Sequence, residues 1–370
     1  MFKNAAENEH RHGLRLAPIK GLRALDGLSW ERNWPMSDVI LEAVNISKRY
    51  QQRRRPPIWA VRSVDLALNS GQTIAVVGES GSGKSTLGRI IAGVLPFDEG
   101  TLAISGHRLS QVDAKLSRGL RRSVQLIHQD PFAALNPAHT VGNILRFPLN
   151  AMGIKSADRV RERVQDLLSS VGLTPPNRYV NQYPYQLSGG QRQRVVLARA
   201  LAVNPKVLVA DEAVSMIDVS MRQNILGIMK QLQVDYGLGI VFITHDLALA
   251  RNFAQRGQTI VMYAGSIIEC GSTEQVIQEP LHPYTAMLRD AVPDPDPTKA
   301  MGTLVPISSE TPDLTWTREG CRFAPRCPFA VTLCVSSTPS LTSYTGEHSV
   351  ACHRASLGVS WAMESEKKVT

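Results

Sequence analysis

Long apolar runs are absent from this sequence: no stretch approaches the ~20 consecutive residues that a membrane-spanning helix needs. The first residues also lack the charged-then-apolar pattern of a secretory signal, which favours the reducing cytoplasm as the compartment. Cysteine is scarce, with five in 370 residues, and in a reducing compartment cysteines are more often thiols or metal ligands than disulfides. If the protein acts at a membrane, we expect it to be a peripheral subunit.

The charge balance is positive, with a net charge of +9 at pH 7. This balance suits a nucleotide ligand, an anionic membrane surface or nucleic acid, so charge alone does not separate these classes. The hydrophobic fraction of 43% is ordinary for a globular protein, and the length of 370 residues predicts about two domains.

Residues 78–86, with the sequence GESGSGKST, follow the apolar run 73–77 and precede the helix-like stretch 87–93. Strand, glycine-rich loop and helix in this order form a P-loop, whose backbone N–H groups surround a polyphosphate at a helix N-terminus. We predict that Lys84 reaches the β and γ phosphates of a nucleoside triphosphate and that Ser85 ligates Mg²⁺. The predicted phosphate-binding residues of the loop are Gly78, Ser80, Gly81, Gly83, Lys84, Ser85 and Thr86.

Tyr50 ends a strand-like stretch just upstream of this loop. An aromatic ring at such a position could stack on a nucleotide base, and the alternative is a half-exposed tyrosine of an ordinary strand. The P-loop that follows favours the first interpretation.

A second helix start, in residues 187–194 with the sequence LSGGQRQR, also has the residues of an anion site. Serine and glycine there expose a hydroxyl and unpaired N–H groups. Because the P-loop already holds one triphosphate, a second phosphate site predicts contact with a nucleotide bound by another subunit. Its predicted nucleotide-binding residues are Ser188, Gly189, Gly190 and Gln191.

Acidic and histidine side chains follow two further apolar strands. Asp211 and Glu212 end the run 207–210, and His245 follows the run 239–244. The carboxyl ends of parallel strands share the sheet edge at which ligands bind. We predict that Asp211 holds the Mg²⁺ shell through water, that Glu212 polarises the attacking water and that His245 contacts the γ-phosphate.

These stretches, with Gln129 and residues 215–218, resemble in order the Walker A, Q-loop, signature, Walker B, D-loop and switch motifs of ABC ATPases. The resemblance covers roughly residues 39–297 and adds Gln129 to Glu212 and His245 as a catalytic residue and Mg²⁺ contact. It implies an ATP-hydrolysing enzyme with an α/β P-loop NTPase fold of ABC type. That fold has a RecA-like parallel sheet core, an antiparallel β subdomain and an inserted α-helical subdomain.

Two positions depart from the family pattern. Ala213 stands where many members have proline after the catalytic glutamate, and Met216-Ile217 replaces the usual Ala-Leu of the D-loop. Neither change removes a group that takes part in the chemistry, although packing of the D-loop between subunits can differ.

A narrower resemblance links residues 129–137, 282–285, 291–295 and 321–328 to ATPase subunits of dipeptide, oligopeptide and nickel importers. It implies a second ABC ATPase, more often a paralogue than a second copy, two transmembrane permeases and an extracytoplasmic substrate-binding protein. The implied location is the cytoplasmic face of a prokaryotic inner membrane, and the implied substrates are small peptides.

Other functions stay open at this point. One is an importer of nickel or another small solute. Another is an ABC-type ATPase that acts on nucleic acid or ribosomes, but such proteins tend to have two ATPase modules or long inserted arms, whereas this chain has one P-loop and no such insertion. We therefore expect no nucleic-acid partner. The intact Glu212 and His245 also disfavour a purely regulatory binding module.

We divide the chain into three regions. Residues 1–36 are expected to form a flexible N-terminal extension, and residues 37–290 the ATPase domain, with the helical subdomain at about 130–200. Residues 291–370 are expected to form a small C-terminal region of the oligopeptide-transporter type that contains a group of cysteines.

Four of the five cysteines lie within this C-terminal region, and they are Cys321, Cys327, Cys334 and Cys352. Four thiolates suit zinc or an iron–sulfur cluster. Zinc sites usually contain close C-x₂₋₄-C pairs, which are absent here, and the resembling importer ATPases include some with a [4Fe–4S] cluster at these cysteines. We therefore predict a [4Fe–4S] cluster with a structural or docking role, the alternatives being zinc or four unligated thiols.

Overall fold

The structure is a computed structural model that describes residues 38–53, 55–109, 122–291, 314–315 and 319–355. The predicted N-terminal extension and, within the predicted C-terminal region, residues 292–313, 316–318 and 356–370 lie outside the described residues. Within the described residues, no helix is both long enough and apolar enough to cross a membrane.

Two sheets organise the described chain. One is antiparallel with the order β2-β1-β4-β5, and the other has the order β11-β12-β10-β9-β3-β8-β7-β6. The strands are β1 (Val39–Gln52), β2 (Arg55–Asn69), β3 (Thr73–Val77), β4 (Glu99–Ile104), β5 (His107–Leu109), β6 (Val124–Ile127), β7 (Val207–Asp211), β8 (Gly239–Thr244), β9 (Gln258–Tyr263), β10 (Ser266–Ser272), β11 (Thr342–Thr345) and β12 (His348–Val350).

Five neighbouring strands of the larger sheet, β9, β3, β8, β7 and β6, are parallel. Every residue of β3, β7 and β8 is buried, as expected for parallel strands covered on both faces, and their sequences are correspondingly continuous apolar runs. Because these strands run in one direction, the segments that follow Val77, Asp211 and Thr244 emerge at the same edge of the sheet.

Helices cover this sheet and form the insertion between β6 and β7. They are α1 (Lys84–Ile91), α2 (Pro131–Ala134), α3 (Val141–Ala151), α4 (Ala157–Ser170), α5 (Asn177–Val180), α6 (Gly189–Leu201), α7 (Val219–Tyr236), α8 (Leu247–Phe253), α9 (Thr273–Gln278), α10 (Pro283–Asp290) and α11 (Thr332–Ser336). Short 3₁₀ turns occur at Pro184–Gln186 and Ala324–Arg326.

Helix α4 shows how the sequence determines the insertion. Its residues at positions i, i+4, i+7 and i+8 are buried together in one hydrophobic cluster with α3 and α6, and they are Val160, Val164, Leu167 and Leu168. Gly172 follows the helix with φ of 71°, the left-handed conformation in which glycine is favoured. Ser156 occupies the N-cap position of α4, but its side chain makes no capping hydrogen bond.

The C-terminal region is continuous with the main sheet, because β12 pairs antiparallel with β10 and β11 pairs with β12. A buried polar contact joins the same elements: the Glu269 carboxylate on β10 lies 2.8 Å from His348 Nε2 on β12. The same carboxylate accepts hydrogen bonds from the backbone N–H groups of Leu281 and His282. Glu269 therefore ties the C-terminal hairpin and the start of α10 to the sheet.

Candidate active site at the carboxyl edge of the sheet

The glycines of the loop between β3 and α1 allow a close approach to neighbouring backbone. Gly78 has φ of 149°, and a Cβ atom there would lie 2.3 Å from the carbonyl oxygen of Met262. Gly83 has φ of 103°, and a Cβ atom there would lie 2.1 Å from the carbonyl oxygen of Ala60. A side chain at either position would clash with this backbone. Because both residues are glycine, the loop can curve tightly around the N-terminus of α1.

Lys84 lies inside this loop and is 5% exposed. Its Nζ donates hydrogen bonds of 2.7 Å to the carbonyl oxygens of Gly78 and Glu79 and one of 3.4 Å to Ser82 Oγ. Burial lowers the pKa of Lys84, and the nearby carboxylates of Glu212, Asp211 and Glu79 oppose this shift. The ammonium is thus held where a polyphosphate on the loop would meet it.

Ser85 and Asp211 bring together oxygen atoms from the P-loop helix and from the end of β7. Ser85 Oγ donates a 2.8 Å hydrogen bond to Asp211 Oδ1. Burial raises the pKa of Asp211, and the bond from Ser85 partly offsets this. A hydroxyl and a carboxylate beside a phosphate-binding loop are oxygen ligands of the kind that Mg²⁺ prefers, so these residues fit such an ion.

Gln129, Glu212 and His245 meet at the same edge. Gln129 Nε2 donates a 3.0 Å hydrogen bond to Glu212 Oε2, and His245 Nδ1 lies 3.1 Å from Glu212 Oε1. Glu212 has φ of 48°, which is unusual for a residue other than glycine, and its backbone N–H bonds to the carbonyl oxygen of Ile243 on β8. Both carboxylate oxygens therefore have a polar neighbour, and the side chain is only 20% exposed.

The predicted second phosphate site lies at the start of α6. Ser188 Oγ accepts a hydrogen bond from the Gln191 backbone N–H, and Gln191 Oε1 accepts one from the Ser188 backbone N–H, which makes a capping box. The sequence suggested an exposed Ser188 hydroxyl, but in the structure this hydroxyl caps its own helix by accepting a backbone hydrogen bond. A Cβ atom at Gly190 would lie 2.8 Å from Met221 Cε, the end of a flexible side chain.

This helix start is not brought to the P-loop of its own chain: across the described ranges, no hydrogen bond or ion pair joins residues 188–191 to residues 78–86. Tyr50, the predicted base-stacking residue, lies near the end of β1 with 41% of its surface exposed. Lys48 Nζ lies 5.9 Å from the centre of its ring.

Comparisons with known proteins agree with this geometry. Residues 61–215 match the family described as ABC transporter, and residues 268–334 match the family described as the C-terminal region of oligopeptide/dipeptide transporters. The chain is 41% identical over 324 residues to the oligopeptide transport ATP-binding protein OppF of Escherichia coli, covering 85% of this chain and 96% of that protein.

The chain belongs to the ABC transporter ATP-binding proteins of the oligopeptide/dipeptide transporter family. It is 39% identical over 325 residues to the di/tripeptide transport ATP-binding protein DppF of Pseudomonas aeruginosa, covering 86% of this chain and 98% of that protein. A putative peptide import ATP-binding protein of Brucella abortus is 42% identical over 295 residues, which cover 80% of this chain and 86% of that protein.

A solved ATP-binding cassette, a dimer in a post-hydrolysis state with ADP and phosphate, is also similar, with a TM-score of 0.54 and 29% identity. The match covers 63% of this chain and 99% of that one. The predicted fold class and the prediction of an ABC-type ATPase are therefore confirmed. This ABC ATPase binds and hydrolyses ATP.

Two arginines of this ABC ATPase that the sequence analysis did not single out connect the stretch after Gln129 to α6. The Arg192 guanidinium lies 4.0 Å from the centre of the Phe132 ring, and Arg199 donates a hydrogen bond to the carbonyl oxygen of Ala134. Both arginines follow the LSGGQ motif in sequence. Their spacing of seven residues places them on one helix face, and this spacing could have indicated a shared contact surface.

The cysteines of the C-terminal region do not form a recognisable metal site. In the parts of the chain that the structure describes, no group of three or more His, Cys, Asp or Glu side chains is arranged to hold a metal ion. The cysteines are nevertheless neighbours, since Cys321 donates its backbone N–H to the Cys334 carbonyl oxygen at 2.7 Å. Burial raises the pKa of Cys321 to about 11 and that of Cys327 to about 12, and nearby thiols add to both shifts. The predicted iron–sulfur cluster is not supported.

Two further residues near the P-loop were missed by sequence reasoning. Arg326 forms two hydrogen bonds to the Glu79 carboxylate, and the Tyr284 hydroxyl accepts a 2.7 Å hydrogen bond from the Glu79 backbone N–H. Both partners are more than 200 positions away along the chain, so no local pattern could have indicated these contacts.

Proposed function

We propose that this ABC ATPase drives the import of dipeptides or oligopeptides. The observation that carries the ATP-driven part of the proposal is that Gln129 and His245 each lie at hydrogen-bonding distance from Glu212 at the sheet edge where the Lys84 loop also lies. Matches to peptide transporter relatives over most of their length support the substrate class.

The ground-state contacts to ATP would come from the P-loop. Its backbone N–H groups and Lys84 would bind the β and γ phosphates, and Tyr50 would stack on the base. Ser85, Asp211 and Gln129 would hold Mg²⁺, which when bound supplies positive charge beside the transferring phosphoryl group. The 2.8 Å contact between Ser85 and Asp211 supports this assignment.

The hydrolytic step would depend on Glu212. Its carboxylate would accept a hydrogen bond from the attacking water and draw off its proton, while His245 would contact the γ-phosphate. Gln129 and His245 bound to the two oxygens of Glu212 fix the orientation of that carboxylate, which is the condition for it to act as a base.

The complete site would be shared between two subunits, with Ser188, Gly189, Gly190 and Gln191 of one contacting the nucleotide on the P-loop of the other. Within the described residues no hydrogen bond joins the α6 start to its own P-loop, and a shared site would give this helix start a nucleotide to contact. The similar cassette solved as a dimer supports it too. We infer that the partner is a paralogous ATPase.

The other partners would be two permease subunits and an extracytoplasmic substrate-binding protein, with the ATPase at the cytoplasmic face of a prokaryotic inner membrane. The stretch after Gln129 is the proposed permease contact. Phe132 is 60% exposed there, while Arg192 and Arg199 connect this stretch to α6. Movement at Gln129 would thereby reach both the permease and the nucleotide of the neighbouring subunit.

The function can be tested by uptake. A strain lacking this chain should fail to accumulate radiolabelled di- and tripeptides, and the wild-type gene, but not one encoding Lys84→Ala, should restore uptake. Retained peptide uptake together with lost uptake of nickel or a glycoside would contradict the peptide assignment. Stimulation of ATP hydrolysis by RNA, and not by the permeases, would instead favour action on nucleic acid.

The [4Fe–4S] cluster remains a separate prediction for Cys321, Cys327, Cys334 and Cys352. Four neighbouring thiols are a suitable donor set, but their arrangement in the described residues does not form a metal site. Protein purified anaerobically should contain about four irons and four sulfides per chain if the prediction is right. Stoichiometric zinc, or no metal, would reject it.

A further inference from the structure

The C-terminal segment makes an ion pair with the phosphate-binding loop. Arg326 NH1 and NH2 lie 2.8 and 2.9 Å from the two carboxylate oxygens of Glu79, the second residue of that loop. This is the bidentate geometry in which guanidinium and carboxylate groups pair most strongly. The Arg326 side chain is 11% exposed and that of Glu79 is 33% exposed, so water screens the pair only in part.

Arg326 is held on a rigid base. Its guanidinium lies 5.7 Å from the Tyr263 ring centre and 5.9 Å from that of Phe323. Phe323, Tyr263 and Tyr284 are almost fully buried and pack edge to face. Because Tyr284 also accepts the backbone N–H of Glu79, one cluster holds both the main chain and the side chain of this residue.

The charge of Glu79 is unfavourable where it lies. A triphosphate on the loop would bring several negative charges close to this carboxylate, and like charges at such distances weaken binding. Burial lowers the pKa of Lys84, and the charge of Glu79, like those of Glu212 and Asp211, opposes this shift, so Glu79 lies within electrostatic range of the lysine. A pairing cation therefore has two effects, since it neutralises the carboxylate and fixes its orientation.

We propose that Arg326 is a positioning residue for ATP: by pairing with Glu79 it neutralises and orients the phosphate-binding loop, so that the C-terminal segment sets nucleotide affinity. The inference rests on the proposed nucleotide site at residues 78–86. It assigns to the C-terminal region a role in binding ATP that depends neither on a metal nor on a permease.

The test is a double-substitution cycle on the full chain, read as the dissociation constant for MgATP with a fluorescent ATP analogue. Arg326→Met leaves the Glu79 charge unpaired and should weaken binding about 10-fold. Glu79→Gln combined with Arg326→Met removes that charge and should restore affinity to within about 3-fold of the unchanged chain. Arg326→Lys keeps the positive charge but not the paired geometry, so its dissociation constant should lie between those of the unchanged chain and Arg326→Met.

Two controls separate the possible causes. Arg322→Met changes a nearby arginine of the same segment, which bonds to Ser266 and, among the described residues, makes no hydrogen bond to residues 78–86. It should leave MgATP affinity within about 2-fold. Thermal unfolding of each variant checks that it is folded. If Arg326→Met does not fold, the same comparison is made with Arg326→Lys and with Arg326→Lys combined with Glu79→Gln.

Unchanged affinity in the Arg326 variants would overturn the proposal, as would a double variant that binds no better than its Arg326 parent. Lys84→Ala distinguishes this failure from failure of the nucleotide site. If Lys84→Ala weakens binding and the Arg326 variants do not, only the positioning role is wrong. If Lys84→Ala also binds normally, the nucleotide site itself is wrong.

Discussion

Replacing Glu212 with glutamine changes the proposed base with little change of shape. The amide keeps one oxygen that can accept the hydrogen bond from Gln129, but it cannot accept a proton from water. Glu212 also contributes a negative charge near Lys84, so its neutralisation lowers repulsion toward a triphosphate. Glu212→Gln should therefore bind MgATP at least as tightly as the unchanged chain.

The substitution should instead lower the rate of ATP hydrolysis. A positioned general base contributes about 10² to 10⁴-fold, equivalent to about 3 to 5 kcal/mol of activation free energy. We expect the upper part of this range because both oxygens of Glu212 are held by polar neighbours, at 3.0 Å from Gln129 and 3.1 Å from His245. A carboxylate fixed in this way loses little activity to misorientation, so most of its contribution depends on its basicity.

The assay is steady-state and single-turnover ATP hydrolysis in the assembled transporter, with size-exclusion chromatography in MgATP to detect a trapped ATPase dimer. Asp235→Asn is the matched control, since it removes a carboxylate that accepts a hydrogen bond from Gln231 on the same helix. Undiminished hydrolysis by Glu212→Gln would refute its assignment as the base. A fall in ATP affinity equal to the fall in rate would show a binding role instead.

Three further predictions concern the rest of the molecule. Ser188→Arg should abolish hydrolysis in the assembled complex while leaving ATP binding to the isolated chain unchanged, and normal hydrolysis would exclude a shared site. Cysteine placed at Ala133 or Ala134 should crosslink to a permease helix, and labelling only of other subunits would contradict the proposed contact. Glu269→Ala should lower the free energy of unfolding by about 3 to 5 kcal/mol, measured by denaturant titration, because it leaves the buried His348 without its carboxylate; a change below about 1 kcal/mol would show that the contact is dispensable.

The parallel sheet and the nucleotide motifs could be predicted from sequence because their signals are local. A buried parallel strand is a continuous apolar run, as in β3, β7 and β8, and parallel strands place their carboxyl ends together. The proximity of Glu212 and His245 follows from that rule. They follow two strands and are separated by 33 residues in the sequence, yet they lie at hydrogen-bonding distance.

Contacts made by the C-terminal region could not be predicted in this way. In the structure, β12 pairs with β10 and Arg326 bonds to Glu79. Glu269 and His348 are separated by 79 residues in the sequence, and Glu79 and Arg326 by 247 residues. Nothing in the local sequence pattern of either partner indicates the other. The [4Fe–4S] cluster stays a prediction, because proximity in sequence does not determine whether thiols converge on one metal centre.

The C-terminal region is connected to the phosphate-binding loop through buried contacts. β10 contains Glu269 and pairs with β9, whose last residue, Tyr263, packs beside the P-loop partner Tyr284. The Glu269 carboxylate lies 2.8 Å from His348 Nε2 on β12 and accepts the backbone N–H of His282 at the start of α10. Tyr284 of α10 in turn accepts the backbone N–H of Glu79. Because these contacts link β12 to residue 79, the C-terminal region is part of the framework that holds the phosphate-binding loop.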